Sequence, residues 1–169
     1  LDELKTDREQ FPWAIIALHG ATQAAMIANL TGTAGIGALD QATANQTLSA
    51  IHGEAEYPKV AYVAPFLELL RRTRKAGRRL EQAGSLIEMS RANLRALGLL
   101  NSLRNDFMHF SPRGWSVEIS GLPRIIEACL SILRGVCSSG WLIHLEPEEN
   151  EEYAIIIEAI EASGRTIFE

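Results

Sequence analysis

Apolar residues recur three and four positions apart along most of the chain, which is the spacing of one face of an α-helix. This pattern predicts an all-α fold, a compact bundle of five to six helices. Between the fourth and fifth helices, Trp115, Val117 and Ile119 alternate with other residues and predict a short extended segment. The predicted helices begin near Pro12, Asp40, Val60, Arg79, Pro123 and Glu148, and they end near Asn29, Ile51, Arg72, His109, His144 and Ala162.

Each predicted helix has an apolar face that we expect to point into the core. The fifth helix is apolar around most of its circumference, so it is either the central helix or is covered on a second side by a partner chain. A homodimer is the simpler assumption. The residues expected to point inwards are Trp13, Ile16, Ala17, Gly20, Ala24 and Ile27 in the first helix, Val63, Phe66, Leu67 and Leu70 in the third, and Tyr153, Ile156, Ile157 and Ile160 in the last.

The first helix is followed by a glycine-rich stretch, TGTAGIG at residues 31–37. Such a stretch is typical of a loop, and paired glycines also occur in loops that bind phosphate groups. Phosphate loops of that kind follow a β-strand and carry a lysine at a fixed place, and neither feature is predicted here. The sequence therefore excludes a P-loop nucleotide site.

A cluster of polar residues lies where the fourth helix gives way to a turn containing proline and glycine. The cluster comprises Arg104, Asn105, Asp106 and His109. Four apolar residues interleaved with it have the spacing of one buried stripe, so the polar groups are expected at the rim of the core. These apolar residues are Leu100, Leu103, Phe107 and Phe110.

The spacing of these residues determines which of their side chains lie on the same face of the helix. On a continuous helix, Asn105 and His109 lie one turn apart on the same face, and Arg104 lies about 100° away but has a long side chain. A guanidinium grips phosphate oxygens through two donors, and an imidazole exchanges protons near neutral pH. Together they are suited to acid–base cleavage of a phosphodiester without a metal ion.

The motif Arg104-Asn105-x-x-x-His109, placed at the end of a long helix and before another hydrophobic helix, resembles the RNxxxH motif of HEPN domains. Members of that family are compact, up-and-down helical domains that are generally dimeric. Many are ribonucleases of toxin–antitoxin, CRISPR and phage-defence systems, and others are non-catalytic binding modules.

The resemblance implies a role for each motif residue. In active HEPN members the arginine and histidine of two protomers meet across the dimer interface, and the RNA 2′-hydroxyl attacks the phosphate without a metal ion. Arg104 would then stabilise the phosphate and transition state, His109 would be the general acid or base, and Asn105 is the polar residue after the arginine. The implied partners are a second copy of the chain, RNA, and an antitoxin or other protein.

Two other interpretations of the motif stay open. The chain could be a non-catalytic helical module that binds nucleotides or proteins and keeps the motif for ligand phosphate or for dimer architecture. Alternatively, Arg104 pairs with Asp106 or another carboxylate, and His109 caps the helix. The histidine of the first helix, His19, is interpreted together with Gln23 as a polar seam within the first pair of helices.

A second group of basic residues lies at the predicted end of the third helix. Six of the 16 Lys and Arg residues occur within nine positions there. They are either a patch that binds the RNA backbone or cations that stabilise the end of a helix, and both interpretations stay open. The six residues are Arg71, Arg72, Arg74, Lys75, Arg78 and Arg79.

Length and charge limit these possibilities further. A chain of 169 residues predicts a single domain, with a polar lead-in at 1–10, a core bundle at 11–145 and an acidic C-terminal helix at 146–169. The net charge is −5, but eight of the 21 acidic residues lie at 146–169, so the rest of the chain is slightly basic. An anionic partner such as RNA is therefore compatible with the charge.

Cysteine usage and hydropathy give the remaining expectations. Cys129 and Cys137 are eight positions apart in one predicted helix, too far to form a disulfide, and we expect reduced core cysteines in a cytoplasmic protein. The longest apolar run carries Glu127 and Arg134, which argues against a membrane span. No motif for a metal or a cofactor occurs, so none is expected.

Overall fold

The computed structural model describes residues 10–109, 121–138 and 147–166 of the chain. In these residues the protein is all-α, as predicted, with six α-helices and a short 3₁₀ turn at Ala76–Arg78. The extended segment predicted at 115–119 and the first nine residues of the lead-in lie outside the described residues. The helices are α1 (Phe11–Leu30), α2 (Gln41–Ile51), α3 (Phe66–Arg74), α4 (Arg91–Met108), α5 (Leu122–Cys137) and α6 (Pro147–Thr166).

The ends of α2 show how local sequence sets a helix boundary. The Asp40 carboxylate accepts a hydrogen bond from the backbone N–H of Thr43 at 2.7 Å, which caps the helix and lowers the pKa of Asp40. At the other end, Gly53 has a φ of 75°, a conformation that glycine adopts at little cost. The predicted bounds of α2 are therefore confirmed, and α1 also begins at its predicted proline turn.

Helix α3 begins later than predicted, at Phe66 rather than near Val60. Pro65 disfavours a helical conformation in the residue before it. The preceding backbone instead pairs with the start of α2, since the Ala64 N–H donates to the carbonyl of Ala38 at 2.9 Å. Because α3 begins later than predicted, its buried face also differs from the predicted one. Leu67, which was expected to be buried, is 41% exposed.

Helix α4 also begins later than predicted, at Arg91 rather than near Arg79. Gly84, near the start of the predicted helix, has a φ of 59°, which is incompatible with a continuous right-handed helix. The helix starts where Ser90 supplies a cap, its hydroxyl accepting from the Asn93 N–H at 3.1 Å. Residues 79–90 therefore form an irregular connector.

The buried face of α1 is the one opposite to the expected face. Trp13, expected inside, is 67% exposed, and Gly20 and Ala24 are exposed as well. Because apolar residues occur all around α1, their spacing does not select one face. The buried side chains of α1 include Phe11, Ile15, Leu18, His19, Met26 and Leu30.

The widely apolar helix α5 is covered by the chain itself. Ile125, Ile132 and Val136 are each at most 2% exposed in the single chain. The apolar circumference of α5 therefore does not require a partner, and the homodimer stays a prediction that rests on the motif. In α6, Ile157 is buried as expected, but Ile156 is 48% exposed, because the helix packs along a narrower strip than predicted.

Cα proximity divides the chain into two compact units, each built from separated stretches of sequence. Of the described residues, the first comprises 10–22, 89–109, 121–134 and 147–166, and the second comprises 23–88 and 135–138. The predicted single domain, with its lead-in, core bundle and acidic helix, stays a prediction. Of the described helices, only α1 has the length and mean hydropathy that would allow it to cross a membrane, and core helices of soluble proteins share this property.

Candidate functional site

The motif residues occupy the last turn of α4, in the first unit. Arg104 is half-buried, and its Nη1 donates a hydrogen bond to the side-chain oxygen of Asn105 at 3.0 Å. One turn later, the backbone N–H of His109 donates to the carbonyl of Asn105 at 3.0 Å. Asn105 therefore connects the arginine and the histidine of the motif, through its side chain to one and through its backbone to the other.

His109 lies at the position immediately after the helix, and its side chain is exposed. This agrees with the interpretation in which His109 terminates the helix. The other half of that interpretation is not observed, since in the described part of the chain Arg104 forms no ion pair with Asp106 or any other carboxylate. The guanidinium keeps donors that a phosphate group can use.

Helix α1 packs against the same end of α4. The rings of Phe11 and Phe107 meet edge to face, with centroids 5.9 Å apart. Two turns further along α1, the Nε2 of His19 lies 3.3 Å from the side-chain oxygen of Asn101. These contacts hold the last turns of α4, and the motif with them, against α1.

His19 has a larger part in this site than its sequence context indicated. It was expected to share a polar seam with Gln23, but its ring hydrogen-bonds to Asn101 of α4 and senses the charge of Arg104. Burial is the main cause that lowers the pKa of His19, the hydrogen bond with Asn101 opposes this change, and the nearby Arg104 charge adds to it. Burial and the charge of Arg104 therefore both disfavour the protonated form of the His19 ring.

The predicted basic patch is only partly a surface. Arg72 is 3% exposed, and its Nη1 donates to the carbonyls of Gly37 and Leu39 at 3.1 and 2.7 Å. Its Nε also lies 3.4 Å from a carboxylate oxygen of Glu68. An arginine held in this way is part of the fold and has no free face for RNA, so its inclusion in the RNA-binding patch is wrong.

Arg79 is used in the same manner. Its Nε donates to the carbonyl of Arg72 at 3.1 Å, and its two terminal nitrogens donate to the carbonyls of Ala83, Gly84 and Ser85. These contacts fold the connector at 79–90 around one guanidinium. Arg79 is half-buried, and its part in the RNA-binding patch stays a prediction.

Besides Arg79, four members of the predicted patch keep access to solvent. Arg71, Lys75 and Arg78 are exposed and Arg74 is half-buried. Arg71 forms an ion pair with Glu68 at 2.9 Å, an exposed contact of small energetic value. The patch that the structure leaves for an anionic partner is therefore smaller than the sequence predicted.

Glu81 organises the glycine-rich loop, a role that was not predicted. Its Oε1 accepts from the N–H of Ala34 at 2.7 Å, and its Oε2 accepts from the N–H groups of Gly32, Ile36 and Gly37 at 3.2 to 3.3 Å. The sequence signal was the run of glycines, which indicates close backbone approach, but nothing in the sequence pairs that run with Glu81.

A shallow groove lies between α4 and the start of α5 in the first unit. Its volume is about 350 Å³, and it is lined by Arg95 and Arg124 above an apolar floor that includes Leu99 and Ile125. None of the described residues that line it is acidic. Arg95 precedes Arg104 by nine positions, which places the two arginines on opposite faces of α4.

In the part of the chain that the structure describes, no three His, Cys, Asp or Glu residues come together as a possible metal site. Cys129 and Cys137 are free thiols, and burial raises the pKa of Cys129 to about 11. No family model, curated protein or solved structure matches this chain.

Proposed function

We propose that this protein is a metal-independent endoribonuclease of the HEPN type that acts as a homodimer. The observation that carries the proposal is the last turn of α4, where Asn105 hydrogen-bonds to Arg104 and one turn later the exposed His109 follows. An oriented guanidinium next to an accessible imidazole is the minimal set for cleaving a phosphodiester by acid–base chemistry.

In the proposed reaction, the ribose 2′-hydroxyl of RNA attacks the adjacent phosphorus. The new 2′-O–P bond forms while the P–O5′ bond breaks, which leaves a 2′,3′-cyclic phosphate and a 5′-hydroxyl. One His109 accepts the proton of the 2′-hydroxyl, and the His109 of the second protomer donates a proton to the departing oxygen. Arg104 stabilises the additional negative charge on the phosphoryl oxygens.

The half-buried setting of Arg104 fits this role. The side-chain oxygen of Asn105 accepts from the guanidinium and orients it. An arginine that is held by one neutral partner retains most of its donors for the substrate. The exposed Arg71, Arg74, Lys75 and Arg78 are candidates for contacts to the RNA backbone.

The test is incubation of the purified chain with mixed RNA in the presence of a chelator. We expect products ending in 2′,3′-cyclic phosphate, and we expect Arg104→Ala and His109→Ala each to lower their rate at least about 100-fold. Matched controls are Arg91→Ala and His52→Ala, which remove an exposed arginine and an exposed histidine outside the motif. Equal cleavage by all variants, or no cleavage by any, would contradict the proposal.

If the protein is the toxin of a toxin–antitoxin or defence system, its partner is an antitoxin that covers the motif or the acidic helix α6. Induced expression of the unmodified chain is then expected to arrest growth, and His109→Ala is expected to relieve the arrest. Growth arrest by the variant to the same extent would contradict the toxin proposal.

The groove on the other face of α4 favours a second candidate function, a non-catalytic nucleotide-binding module. Its volume is suited to a small ligand, and two arginines over an apolar floor suit a phosphate attached to a flat, weakly polar group. Binding of a nucleoside monophosphate that is lost in Arg95→Gln and Arg124→Gln, together with no RNA cleavage, would favour this function over the nuclease.

A further inference from the structure

We propose that the glycine-rich loop at 32–37 is a binding site for a phosphate-type oxyanion, and that Glu81 occupies it as a built-in competitor. This inference is independent of the nuclease proposal, because it concerns a different set of residues. It also differs from the P-loop interpretation, since the donors are the amides of the loop itself and no lysine or helix start takes part.

The first argument is the number of donors. Four backbone N–H groups converge on one carboxylate, and three of them share Oε2 at 3.2 to 3.3 Å, longer than the usual 2.9 to 3.0 Å. A carboxylate brings two oxygens, whereas phosphate or sulfate brings four. The loop therefore presents more donors than Glu81 can satisfy at good distance.

The second argument is the polarity of the loop backbone. Arg72 donates to the carbonyls of Gly37 and Leu39, while Glu81 accepts from the N–H of Gly37. The carbonyl of Gly37 therefore points towards the positive charge of Arg72, and its N–H points towards the anion position. An array of inward amides held in this way is a typical anion-binding concavity.

The third argument is the close approach that the glycines permit. A Cβ atom on Gly32 would collide with the Glu81 carboxylate, and a Cβ atom on Gly37 would collide with the carbonyl of Leu30. Between them, Gly35 has a φ of 69°, and the amides of Ala34 and Ile36 on either side of it both donate to Glu81. The loop is therefore shaped around the anion position.

The effective concentration of Glu81 explains why the unmodified chain would not respond to dilute phosphate. The carboxylate belongs to the same chain, so a free anion competes with it at a large disadvantage. Substituting Glu81 removes the competitor and leaves the four amides without an acceptor, and a free oxyanion can then stabilise the folded state by binding to it.

The experiment compares melting temperatures in phosphate and in chloride of equal ionic strength. We expect Glu81→Ala to melt several degrees below the unmodified chain in chloride and to regain most of the loss as phosphate is added. The unmodified chain is expected to show only the smaller stabilisation that phosphate gives proteins in general by exclusion from their surface. The matched control is Glu88→Ala, which removes an exposed carboxylate of the same connector and is expected to respond to phosphate no more than the unmodified chain does.

Amide chemical shifts locate the binding event. In a phosphate titration of Glu81→Ala, the largest 15N–1H shifts are expected at Gly32, Ala34, Ile36 and Gly37. Adding Gly32→Ala to this variant places a methyl group at the anion position and is expected to remove the response. Replacing inorganic phosphate by glycerol 3-phosphate distinguishes a site for the free ion from one that also accepts a phosphate group on an organic ligand.

Several outcomes would overturn the proposal. These are a melting temperature of Glu81→Ala that is the same in phosphate and chloride, shifts that lie elsewhere, or an equal phosphate response in the unmodified chain. If Glu81→Ala and the more polar Glu81→Ser are both unfolded in chloride, phosphate is expected to restore their helical circular dichroism, and failure to do so contradicts the proposal as well.

Discussion

Two groups of charged residues in this chain are used in opposite ways. In the second unit, Arg72, Arg79 and Glu81 direct almost all of their hydrogen-bonding capacity to backbone groups. At the end of α4, Arg104 donates to one neighbouring side chain, and His109 has an exposed ring. Both groups appear in the sequence simply as charged or polar clusters.

The difference teaches which charges hold the fold together and which are available to a ligand. A buried guanidinium whose donors meet carbonyls stabilises the loop it contacts, and its removal leaves those carbonyls without partners. A half-exposed guanidinium with spare donors contributes little to stability, and its remaining N–H groups can donate to a ligand. Stability and activity measurements on the two groups should therefore diverge.

The largest effect is expected for Arg72→Met. The substitution leaves the carbonyls of Gly37 and Leu39 and the carboxylate of Glu68 without this donor, and we expect it to lower the free energy of unfolding by about 3 kcal/mol. Urea unfolding followed by circular dichroism measures the change. Arg71→Met is the matched control, because Arg71 contacts the same Glu68 from an exposed position, and a loss below about 0.5 kcal/mol is expected. Equal losses in both variants would contradict the view that the buried arginine holds the fold together and the exposed one does not.

A smaller effect is expected for Arg79→Lys. Lysine keeps the positive charge but cannot donate to the carbonyls of Arg72, Ala83 and Ser85 at once, so we expect a loss of about 2 kcal/mol. Urea unfolding gives the value, and Arg78→Lys is the exposed control. A stability equal to that of the unmodified chain would show that charge alone, and not the fork of donors, holds the connector.

At the end of α4 the stability effect is expected to be small. Arg104→Gln and His109→Ala should each change the free energy of unfolding by less than about 1 kcal/mol, because their side chains make few contacts with the described chain. The same variants are expected to lose RNA cleavage. A loss of stability as large as that of Arg72→Met would assign these residues to the fold and not to a site.

The smallest effect is a pH dependence that arises from His19. Its pKa is lowered in the folded chain, mainly by burial, from an ordinary value of 6.5. Below that value the unfolded chain binds a proton that the folded chain does not, so stability falls as the pH falls from 6.5 towards the folded pKa. The urea midpoint of the unmodified chain should therefore fall more between about pH 7.5 and about pH 5.5 than that of His19→Gln. Parallel pH profiles would exclude this role.

The sequence predicts the elements of this fold better than their boundaries. Asp40 and Gly53 were sufficient to predict the ends of α2, because helix capping depends on residues next to the helix end. The starts of α3 and α4 were wrong because the apolar spacing continues through Pro65 and Gly84, which interrupt the helical backbone. In α1 the spacing was correct but the face was not, since a helix that is apolar on all sides carries no signal for its orientation.

The candidate site could be predicted only as far as it is local. Arg104, Asn105 and His109 lie within one helical turn or two, so their proximity follows from helical geometry. The contact of His19 with Asn101 joins residues 82 positions apart, and no local pattern indicates it. The same holds for Arg72, which differs from its neighbour Arg71 only through carbonyls 33 and 35 positions away.

The contact between Glu81 and the glycine-rich loop also has a consequence for biosynthesis. The carboxylate lies 44 to 49 positions after the amides that it accepts from, so a nascent chain contains the loop well before its partner. Until Glu81 leaves the ribosome, the four amides lack this acceptor, and the loop closes through a contact between distant residues. The order of translation therefore places the completion of this loop after α1, α2 and α3 have been synthesised.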